Sequence, residues 1–265
     1  MDTDALDRAA IMIADTRAAV GRLAPLPVGL APRDEAEAYA VQDRLRLHLA
    51  GRGLGGVAGF KIGCTTQVMQ TYLGIDHPCA GGMSSGRIYA SGAHFPAGAF
   101  VRPGVECEIA VEIAHEMAPQ DTPFDRARLP GAIAAVFAAI EIVDDRYDNW
   151  RAMDMATLVA DDFFHAALVL GPRIADWQGI DLAAVRGSLR VAGVEIGRGV
   201  GADILGHPLD ALAWLANQRA ARGLGLRAGD LVSLGSVTQT CWLEPGQDAS
   251  IAIEQLGTVS LRYGT

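Results

Sequence analysis

Three glutamates in two apolar stretches have the residue type and setting to bind a metal ion. The segment RPGVECEIAVEI, residues 102–113, alternates as a strand does, so Glu106 and Glu108 share one face and the apolar side chains share the other. For this segment alone, a half-buried strand with a solvated acidic face is the simpler interpretation. Glu141, however, follows the apolar run GAIAAVFAAI, where a charge must be paired or bound to metal. Three carboxylates from two strands would suit a hard divalent cation such as Mg2+ or Mn2+.

Lys61 is the second residue that could carry chemistry. It is the only lysine among 22 basic residues, and it stands in the apolar segment VAGFKIG. It could reach the surface or pair with an acid, and its uniqueness could reflect only a bias toward arginine. Arginine, however, is effectively always charged, whereas lysine can release a proton when it is desolvated. A role in proton exchange would therefore explain why arginine does not replace it.

The elements that position these residues predict an α+β fold. Two helices are expected at 4–22 and 34–50, and one later helix at 208–223, from helical spacing with Pro and Gly as start and stop signals. Short Val/Ile-rich pieces separated by Gly, Pro and Asp predict strands at 57–63, 105–114, 166–171, 188–197, 230–235, 250–256 and 259–263. Many strands with few helices between them favour a mainly antiparallel or mixed sheet.

Composition limits the kinds of partner. The chain has 265 residues, half of them hydrophobic, and a net charge of −9 without a basic run, which argues against nucleic acid and anionic membranes. Its longest apolar stretch is shorter than the roughly 20 residues of a membrane span, and its N-terminus does not have the pattern of a signal peptide. We expect a cytoplasmic protein. The four cysteines have no metal-ligand spacing and are expected to be free thiols.

Seven blocks in order give the chain a family resemblance. They are EAYAVQDRL, GFKIGCTTQVMQTYLGIDHPCAGGM, VECEIAVEI, AAIEIVDDRY, ADDFFHAALVLGP, GHPLDALAWLAN and LRAGDLVSLGSVTQT. With these blocks the chain resembles the 2-keto-4-pentenoate hydratase and 4-oxalocrotonate decarboxylase family of the fumarylacetoacetate hydrolase superfamily. The resemblance implies a mixed β-sheet roll of that superfamily with an N-terminal helical subregion. We expect residues 1–85 to hold that subregion and the lysine-bearing strand, and residues 86–265 to form the β-rich catalytic core, within one structural unit.

The resemblance also implies a reaction. In the family the E-x-E pair and a later glutamate bind Mg2+ or Mn2+, which correspond here to Glu106, Glu108 and Glu141, and the lysine corresponding to Lys61 is a catalytic acid or base. The implied activity is hydration of a 2-hydroxy-2,4-dienoate to a 4-hydroxy-2-oxo acid. Decarboxylation of a 2-oxo-3-enedioate and C–C bond hydrolysis are the alternatives. A homo-oligomer acting on a small 2-oxo or 2-hydroxydienoic acid in aromatic compound catabolism is implied by the same family.

Two positions depart from the family pattern. Cys79 stands where the hydratases usually carry an acid, and Asp76 or His77 of this chain could substitute for that acid. Phe164 stands where the family usually has a polar serine. His165 could supply a replacement, or it could be a satisfied core histidine. These changes point to a shifted substrate or a related reaction, and a non-catalytic role for a fold that has lost activity also stays open.

Three further residues are candidates for substrate contacts. Ser236 and Thr238 lie in GSVTQT, which is either a polar turn or a site for the substrate carboxylate. Arg146 follows Glu141 closely, and it could support the metal ligands and the substrate or form a structural ion pair.

Overall fold

The computed structural model describes residues 1–264, which form five α-helices and thirteen β-strands. The helices are α1 (Thr3–Ala18), α2 (Glu35–Leu49), α3 (Gln67–Leu73), α4 (Met155–Ala160) and α5 (Pro208–Ala221). The strands are β1 (Val57–Gly63), β2 (Cys79–Ser84), β3 (Ile88–Ala90), β4 (Ala93–Phe95), β5 (Pro103–Ile113), β6 (Ile133–Asp144), β7 (His165–Leu170), β8 (Arg186–Val191), β9 (Val194–Val200), β10 (Leu231–Ser236), β11 (Cys241–Trp242), β12 (Asp248–Ile253) and β13 (Gly257–Tyr263).

The longer helices begin at residues that satisfy their first backbone donors. Asp2 and Asp34 each accept a hydrogen bond of 2.8 Å from a backbone N–H in the first turn of α1 and α2. Helix α5 starts with Pro208, which lacks the N–H that would otherwise need a partner there. The predicted helices at the front of the chain and at 208–223 are thus confirmed, although α1 ends at Ala18 rather than at residue 22.

The strands form two sheets. The larger has eight strands in the order β2-β1-β10-β5-β6-β7-β3, with β11 also paired to β5, and the smaller has the order β4-β13-β12-β8-β9. The pairs β1–β10, β3–β7 and β13–β4 are parallel, and the remaining pairs are antiparallel. The expected α+β class with a mixed sheet is therefore confirmed.

Strand β5 has two different faces. Its apolar face, with Val105, Cys107 and Ile109 fully buried, belongs to the main core and meets the smaller sheet. The close approach is visible at Gly187 of β8, where a Cβ would lie 3.2 Å from the sulfur of Cys107. The opposite face carries the glutamates beside a small apolar cluster that includes Met83, Ala110, Ala135, Phe137, Ala139 and Leu168. The larger sheet thus presents its carboxylates on the face opposite the smaller sheet.

The structure corrects two of the expected elements. The single strand predicted at 188–197 is wrong, because a tight turn at Ala192 and Gly193, both with positive φ, folds this region into the hairpin β8–β9. The expectation of one helix after the front of the chain is also wrong, because α3 and α4 are helical. Both are short, with seven and six residues, so they offer little helical periodicity.

The lysine-bearing strand belongs to the larger sheet. Strand β1 pairs with β2 on one side and with β10, far along the chain, on the other. The division of the chain at residues 85 and 86 stays a prediction. Between residues 1 and 264, no helix combines the length and apolar character needed to cross a membrane.

Candidate active site

The three glutamates meet on adjacent strands. Glu106 of β5 lies directly opposite Glu141 of β6 in the antiparallel register, and Glu108 follows two residues later on the same face. One carboxylate oxygen from each lies within 4.8 Å of the others. The structure therefore brings together the three candidate metal ligands, which are 35 residues apart at most in the sequence.

Two hydroxyl groups hold the first pair of carboxylates. The Ser233 hydroxyl on β10 donates to Glu108, and the Thr240 hydroxyl, just before β11, donates to Glu106. Sequence reasoning missed both residues as site components. Ser233 could have been suspected as a polar residue inside a predicted apolar strand, and Thr240 because it ends the GSVTQT segment.

Glu141 has two cationic or potentially cationic neighbours. The ammonium of Lys61 lies 3.4 Å from Glu141 Oε1, and both side chains are almost completely buried. His165, the first residue of β7, places Nδ1 2.8 Å from the same oxygen. Since Glu141 can only accept, the Nδ1 atom of His165 carries the proton and donates. The structure thus brings Lys61 and His165 to the carboxylate cluster.

The three carboxyl groups of the cluster oppose one another's ionisation. Burial and then the Glu141 carboxylate raise the pKa of Glu106 to about 7, and the same two causes raise the pKa of Glu108 well above its usual value. Burial also acts to raise the pKa of Glu141, but Lys61 and His165 outweigh it and hold that pKa below its usual range. Ionising all three carboxyl groups would set three negative charges against one ammonium, and a bound cation would relieve that repulsion and favour the ionised forms.

The pKa values of the two basic side chains, Lys61 and His165, are shifted in opposite directions. Burial acts to lower the pKa of Lys61, but the neighbouring carboxylates, Glu141 first among them, outweigh burial and raise it. For His165 burial prevails and the pKa is lowered, so its imidazole is neutral at physiological pH. Lys61 therefore carries the positive charge of the site.

The donor set fits a hard divalent cation. Glu141 Oε2 and His165 Nε2 are buried and have no hydrogen-bond partner among residues 1–264. Unpaired buried polar atoms are uncommon and require an explanation such as an absent water or ion. A cluster of carboxylate oxygens is the ligand set that Mg2+ and Mn2+ prefer.

Cys79 lies on the same face of the sheet as Lys61. It begins β2 and pairs with Gly63, and its sulfur lies 3.8 Å from the sulfur of Cys64. Burial, followed by the hydrogen bond with Cys64, raises the pKa of the Cys79 thiol well above its ordinary value. The position where the family resemblance led us to expect an acid is therefore occupied by a neutral, buried thiol.

Arg146 supports the turn that leads into β7. Its guanidinium lies 2.8 Å from Asp161 Oδ2 and donates to the carbonyls of Phe164 and His165 at 3.1 and 2.7 Å. Arg17 binds the other oxygen of Asp161 at 2.6 Å. These are the contacts of the structural ion pair that the sequence left open, and a contact of Arg146 with substrate stays a prediction. Sequence reasoning missed Arg17 and Asp161.

The hydroxyls of the two candidate substrate-binding residues, Ser236 and Thr238, bond to the backbone. Ser236 lies opposite Glu108, and its hydroxyl donates to the carbonyl of Thr238 at 2.8 Å, while the Thr238 hydroxyl accepts from the Cys107 N–H at 3.4 Å. Both hydroxyls therefore brace the loop after β10, and their contact with substrate stays a prediction.

His77 contacts residues outside the carboxylate cluster. Its Nδ1 atom lies 2.7 Å from the carbonyl of Pro78, its Nε2 atom lies 3.5 Å from Glu35, and its ring stacks near Trp214. Within the part of the chain that the structure describes, these contacts are with residues outside the carboxylate cluster, and a catalytic role for His77 stays a prediction.

Known proteins resemble this chain in sequence and in fold. Residues 87–262 match the family model described as fumarylacetoacetate (FAA) hydrolase C-terminal. The chain is 33% identical over 262 residues to a 2-keto-4-pentenoate hydratase of Burkholderia vietnamiensis, covering 99% of this chain and 98% of that one. It is 30% identical over 231 residues to a 4-oxalocrotonate decarboxylase of Pseudomonas putida, covering 86% and 85%.

A solved structure extends the likeness to three dimensions. The 4-oxalocrotonate decarboxylase from Pseudomonas putida G7, complexed with magnesium and adipate, superposes with a TM-score of 0.89 at 26% identity and covers 99% of this chain and 98% of that one. The family model, the relatives that match over nearly full length and this shared architecture agree. The chain belongs to the fumarylacetoacetate hydrolase family, in the group of the 2-keto-4-pentenoate hydratases and 4-oxalocrotonate decarboxylases.

Proposed function

We propose that this protein is a metal-dependent hydro-lyase that adds water to a 2-hydroxy-2,4-dienoate and yields a 4-hydroxy-2-oxo acid. The observation that carries the proposal is the buried cluster of three carboxylates with the Lys61 ammonium 3.4 Å from Glu141. The relative from Burkholderia vietnamiensis, named a 2-keto-4-pentenoate hydratase, supports the reaction class over nearly the whole chain.

The metal is proposed to be Mg2+ or Mn2+, held by Glu106, Glu108 and Glu141. When bound, such an ion supplies a Lewis acid that favours the enolate form of a 2-oxo acid. Around it, Ser233 and Thr240 orient two of the carboxylates, and His165 orients the third. The related decarboxylase structure that holds magnesium supports this choice of ion.

Lys61 is proposed to move the proton. In the reaction a proton adds to the carbon of the diene farthest from the carboxylate, and water then adds to the neighbouring carbon. The Lys61 ammonium is the charged donor beside the cluster, and the Phe163 ring, 5.1 Å from its nitrogen, covers it from solvent. An arginine in this place would hold its proton at every physiological pH.

Decarboxylation of a 2-oxo-3-enedioate is the second candidate. It leads to the same enolate, because the electrons of the broken C–C bond pass through the neighbouring double bond to the 2-oxo oxygen. The proton is then needed on that oxygen and not on the carbon that CO2 leaves, and no base is needed to activate water. The neutral thiol of Cys79, where hydratases usually carry an acid, favours this alternative. The contacts of His77 with Pro78 and Glu35 do not favour C–C bond hydrolysis, which needs a water-activating pair of Glu and His beside the metal.

The wider setting belongs to the same proposal. We expect a homo-oligomer in the cytoplasm that acts on a small 2-oxo or 2-hydroxydienoic acid in aromatic compound catabolism. The acidic composition, with a net charge of −9, supports a small-molecule substrate rather than nucleic acid.

The test uses two freshly generated substrates with the purified protein and Mg2+ or Mn2+. Ultraviolet absorbance follows the loss of 2-hydroxypenta-2,4-dienoate or 2-oxo-3-hexenedioate, and mass spectrometry identifies the products. Gain of one water by the dienoate supports the hydratase. Loss of CO2 from the dioate without hydration supports the decarboxylase instead, and the absence of any metal-dependent change with either substrate would contradict both.

A further inference from the structure

Four aromatic side chains form a continuous row that starts at Lys61. The Phe163 ring centroid lies 5.1 Å from the Lys61 ammonium. The next ring centroids follow at 5.3 Å from Phe163 to Phe164, 5.8 Å from Phe164 to Trp150 and 5.6 Å from Trp150 to Tyr72. We refer to Phe163, Phe164, Trp150 and Tyr72 as the aromatic wall.

Exposure rises along the aromatic wall from the reaction centre outward. Phe163 is 7% exposed, Phe164 and Trp150 are half-buried, and Tyr72 is 54% exposed. Helix α3, which carries Tyr72, also exposes Val68 by 78%. The aromatic wall thus runs from the buried carboxylate cluster to an apolar patch at the protein surface. This is the arrangement expected of residues that guide an apolar ligand into a site.

The inner half of the aromatic wall is held in an unusual backbone conformation. Asp162, Phe163 and Phe164 have φ values of 53°, 46° and 67°, which non-glycine residues rarely adopt, least of all in succession. Such conformations persist only where the surroundings enforce them, and they concentrate at functional sites.

The surroundings do enforce this turn. Asp162 accepts a hydrogen bond of 2.7 Å from the Gly82 N–H and pairs with Arg17 at 3.0 Å. Across from the turn, Gly63 leaves the space that Phe163 occupies, because a Cβ there would lie 2.8 Å from the ring. The position of the Phe163 ring is therefore set by the fold.

Resting on the proposed function, we infer that the aromatic wall is the specificity surface of the enzyme and binds an aryl substituent at the end of the 2-hydroxy-2,4-dienoate remote from its carboxylate. Ring edges and faces at these separations are suited to edge-to-face and offset contacts with another ring. Hydration leaves the substituent unchanged, because it adds a proton to the terminal carbon and a hydroxyl group to its neighbour.

A second carboxylate at the same end of the substrate fits the aromatic wall poorly. It would lose water beside aromatic rings, which is costly without a cationic partner. Beyond Lys61, the cation that lies over a ring of the aromatic wall within residues 1–264 is Arg151, 4.9 Å from the Trp150 ring, and the guanidinium of Arg146 is occupied by Asp161 and by backbone carbonyls. The aromatic wall thus favours an apolar substituent over a dicarboxylic substrate.

Binding of unreactive analogues tests this inference without turnover. The probes are the saturated acids 2-oxo-5-phenylpentanoate and 2-oxopentanoate, titrated by calorimetry into the Mg2+-loaded protein. We expect the phenyl compound to bind at least about tenfold more tightly. In parallel, kcat/KM is compared for 2-hydroxypenta-2,4-dienoate, its 5-phenyl derivative and 2-oxo-3-hexenedioate, and the phenyl derivative should lead by a similar factor.

Three variants assign the preference to the aromatic wall. Trp150→Ala should reduce the advantage of the phenyl analogue to about threefold or less while the affinity for 2-oxopentanoate changes less than about twofold. Trp150→Phe keeps a ring and should retain most of the advantage. Trp214→Ala is the matched control, because Trp214 is another half-buried tryptophan, on α5 beside His77, and should retain all of it.

The outcomes separate this inference from the proposed function. Equal affinity of the two analogues, or an advantage that survives Trp150→Ala, overturns the inference. Turnover of the unsubstituted dienoate or of the dioate without a phenyl preference also overturns it and leaves the lyase activity standing. A phenyl preference in binding without turnover of any of the three substrates supports the aromatic wall and overturns the proposed reaction.

Discussion

At the scale of single residues, the site depends on one positive charge among three carboxylates. Lys61, Glu141 and His165 are linked through a single oxygen, Glu141 Oε1, at 3.4 and 2.8 Å. A substitution at any one of these three residues therefore changes the electrostatic surroundings and the hydrogen bonds of the other two. We therefore expect the charge and hydrogen-bonding groups of a replacement residue to affect activity more than its size does.

Lys61→Arg tests proton transfer apart from charge. The guanidinium keeps the positive charge, so we expect the fold and the metal affinity to be maintained, but it does not release its proton. Turnover should fall by roughly 10²- to 10⁴-fold, the usual contribution of a general acid or base. Steady-state kcat with saturating Mg2+ measures this, and activity within about threefold of the original protein would remove Lys61 from the mechanism.

Ser233→Ala tests the orientation of a metal ligand. The variant removes the hydroxyl that donates to Glu108, and loss of such a supporting contact typically weakens metal binding by about 10- to 100-fold. Ser236→Ala is the control, because that hydroxyl on the same strand bonds to backbone carbonyls instead. The Mn2+ dissociation constant should rise in Ser233→Ala and stay near the original value in Ser236→Ala. Equal dissociation constants in the two variants would show that Ser233 does not orient Glu108 for metal binding.

At the scale of elements, the buried ion pairs of Asp161 hold the turn between α4 and β7. Asp161 is fully buried and accepts from Arg17, Arg146 and the hydroxyl of Tyr147. That turn carries the strained backbone of Phe163, so the ion pairs stabilise the geometry beside Lys61.

Asp161→Asn should destabilise the protein strongly. Removing one partner of a buried ion pair leaves uncompensated charge and typically costs about 3 to 5 kcal/mol. Urea unfolding at neutral pH measures the change. Glu254→Gln, at the exposed pair with Arg186, is the control and should change stability little. Equal effects of the two substitutions would show that the Asp161 pairs do not hold the turn.

The contribution of Asp161 also has a definite pH dependence. Burial acts to raise its pKa, but the two guanidinium groups outweigh burial and hold the pKa below its usual value. The stabilisation is therefore complete above the ordinary aspartate pKa and is lost as the pH falls through the lower folded value. The stability difference between the original protein and Asp161→Asn should stay constant from pH 7 to 5 and shrink below about pH 4. A difference that already shrinks between pH 7 and 5 would contradict this assignment.

The elements that sequence reasoning found are those with a clear period. Strand β5 matches its prediction because its residues alternate cleanly, and α2 and α5 match because each is long and capped. The hairpin β8–β9 was missed since its turn uses Ala192, which has no strong turn preference, at φ 48°. Local sequence does not encode that conformation, which the surrounding pairing imposes.

At the scale of the whole molecule, long-range strand pairing completes the site. The glutamates could be predicted because they lie on two strands close in sequence. Ser233 and Thr240 could not, since they reach Glu108 and Glu106 from more than a hundred residues away, through β10 and the loop that follows it. His165 reaches Glu141 because β7 pairs with β6.

Metal binding should stabilise the whole fold. A ligand that binds only the folded state, present at a free concentration 100 times its dissociation constant, adds about 2.7 kcal/mol to the free energy of unfolding. For a chain of this length, that corresponds to a rise in Tm of roughly 5 to 10 °C. Differential scanning calorimetry with and without Mg2+ measures it, and an unchanged Tm at saturating Mg2+ would contradict a specific site in the folded protein.

The direct test of the account is the binding of Mn2+ followed by electron paramagnetic resonance of the free ion. The original protein should bind one Mn2+ per chain, and Glu141→Gln should weaken that binding by at least about 100-fold. Glu112→Gln makes the same substitution on the same face of β5, at a side chain paired with exposed Arg173, and should bind as the original does. Mn2+ affinity that is the same in Glu141→Gln as in the original protein would contradict the metal site on which the proposed reaction rests.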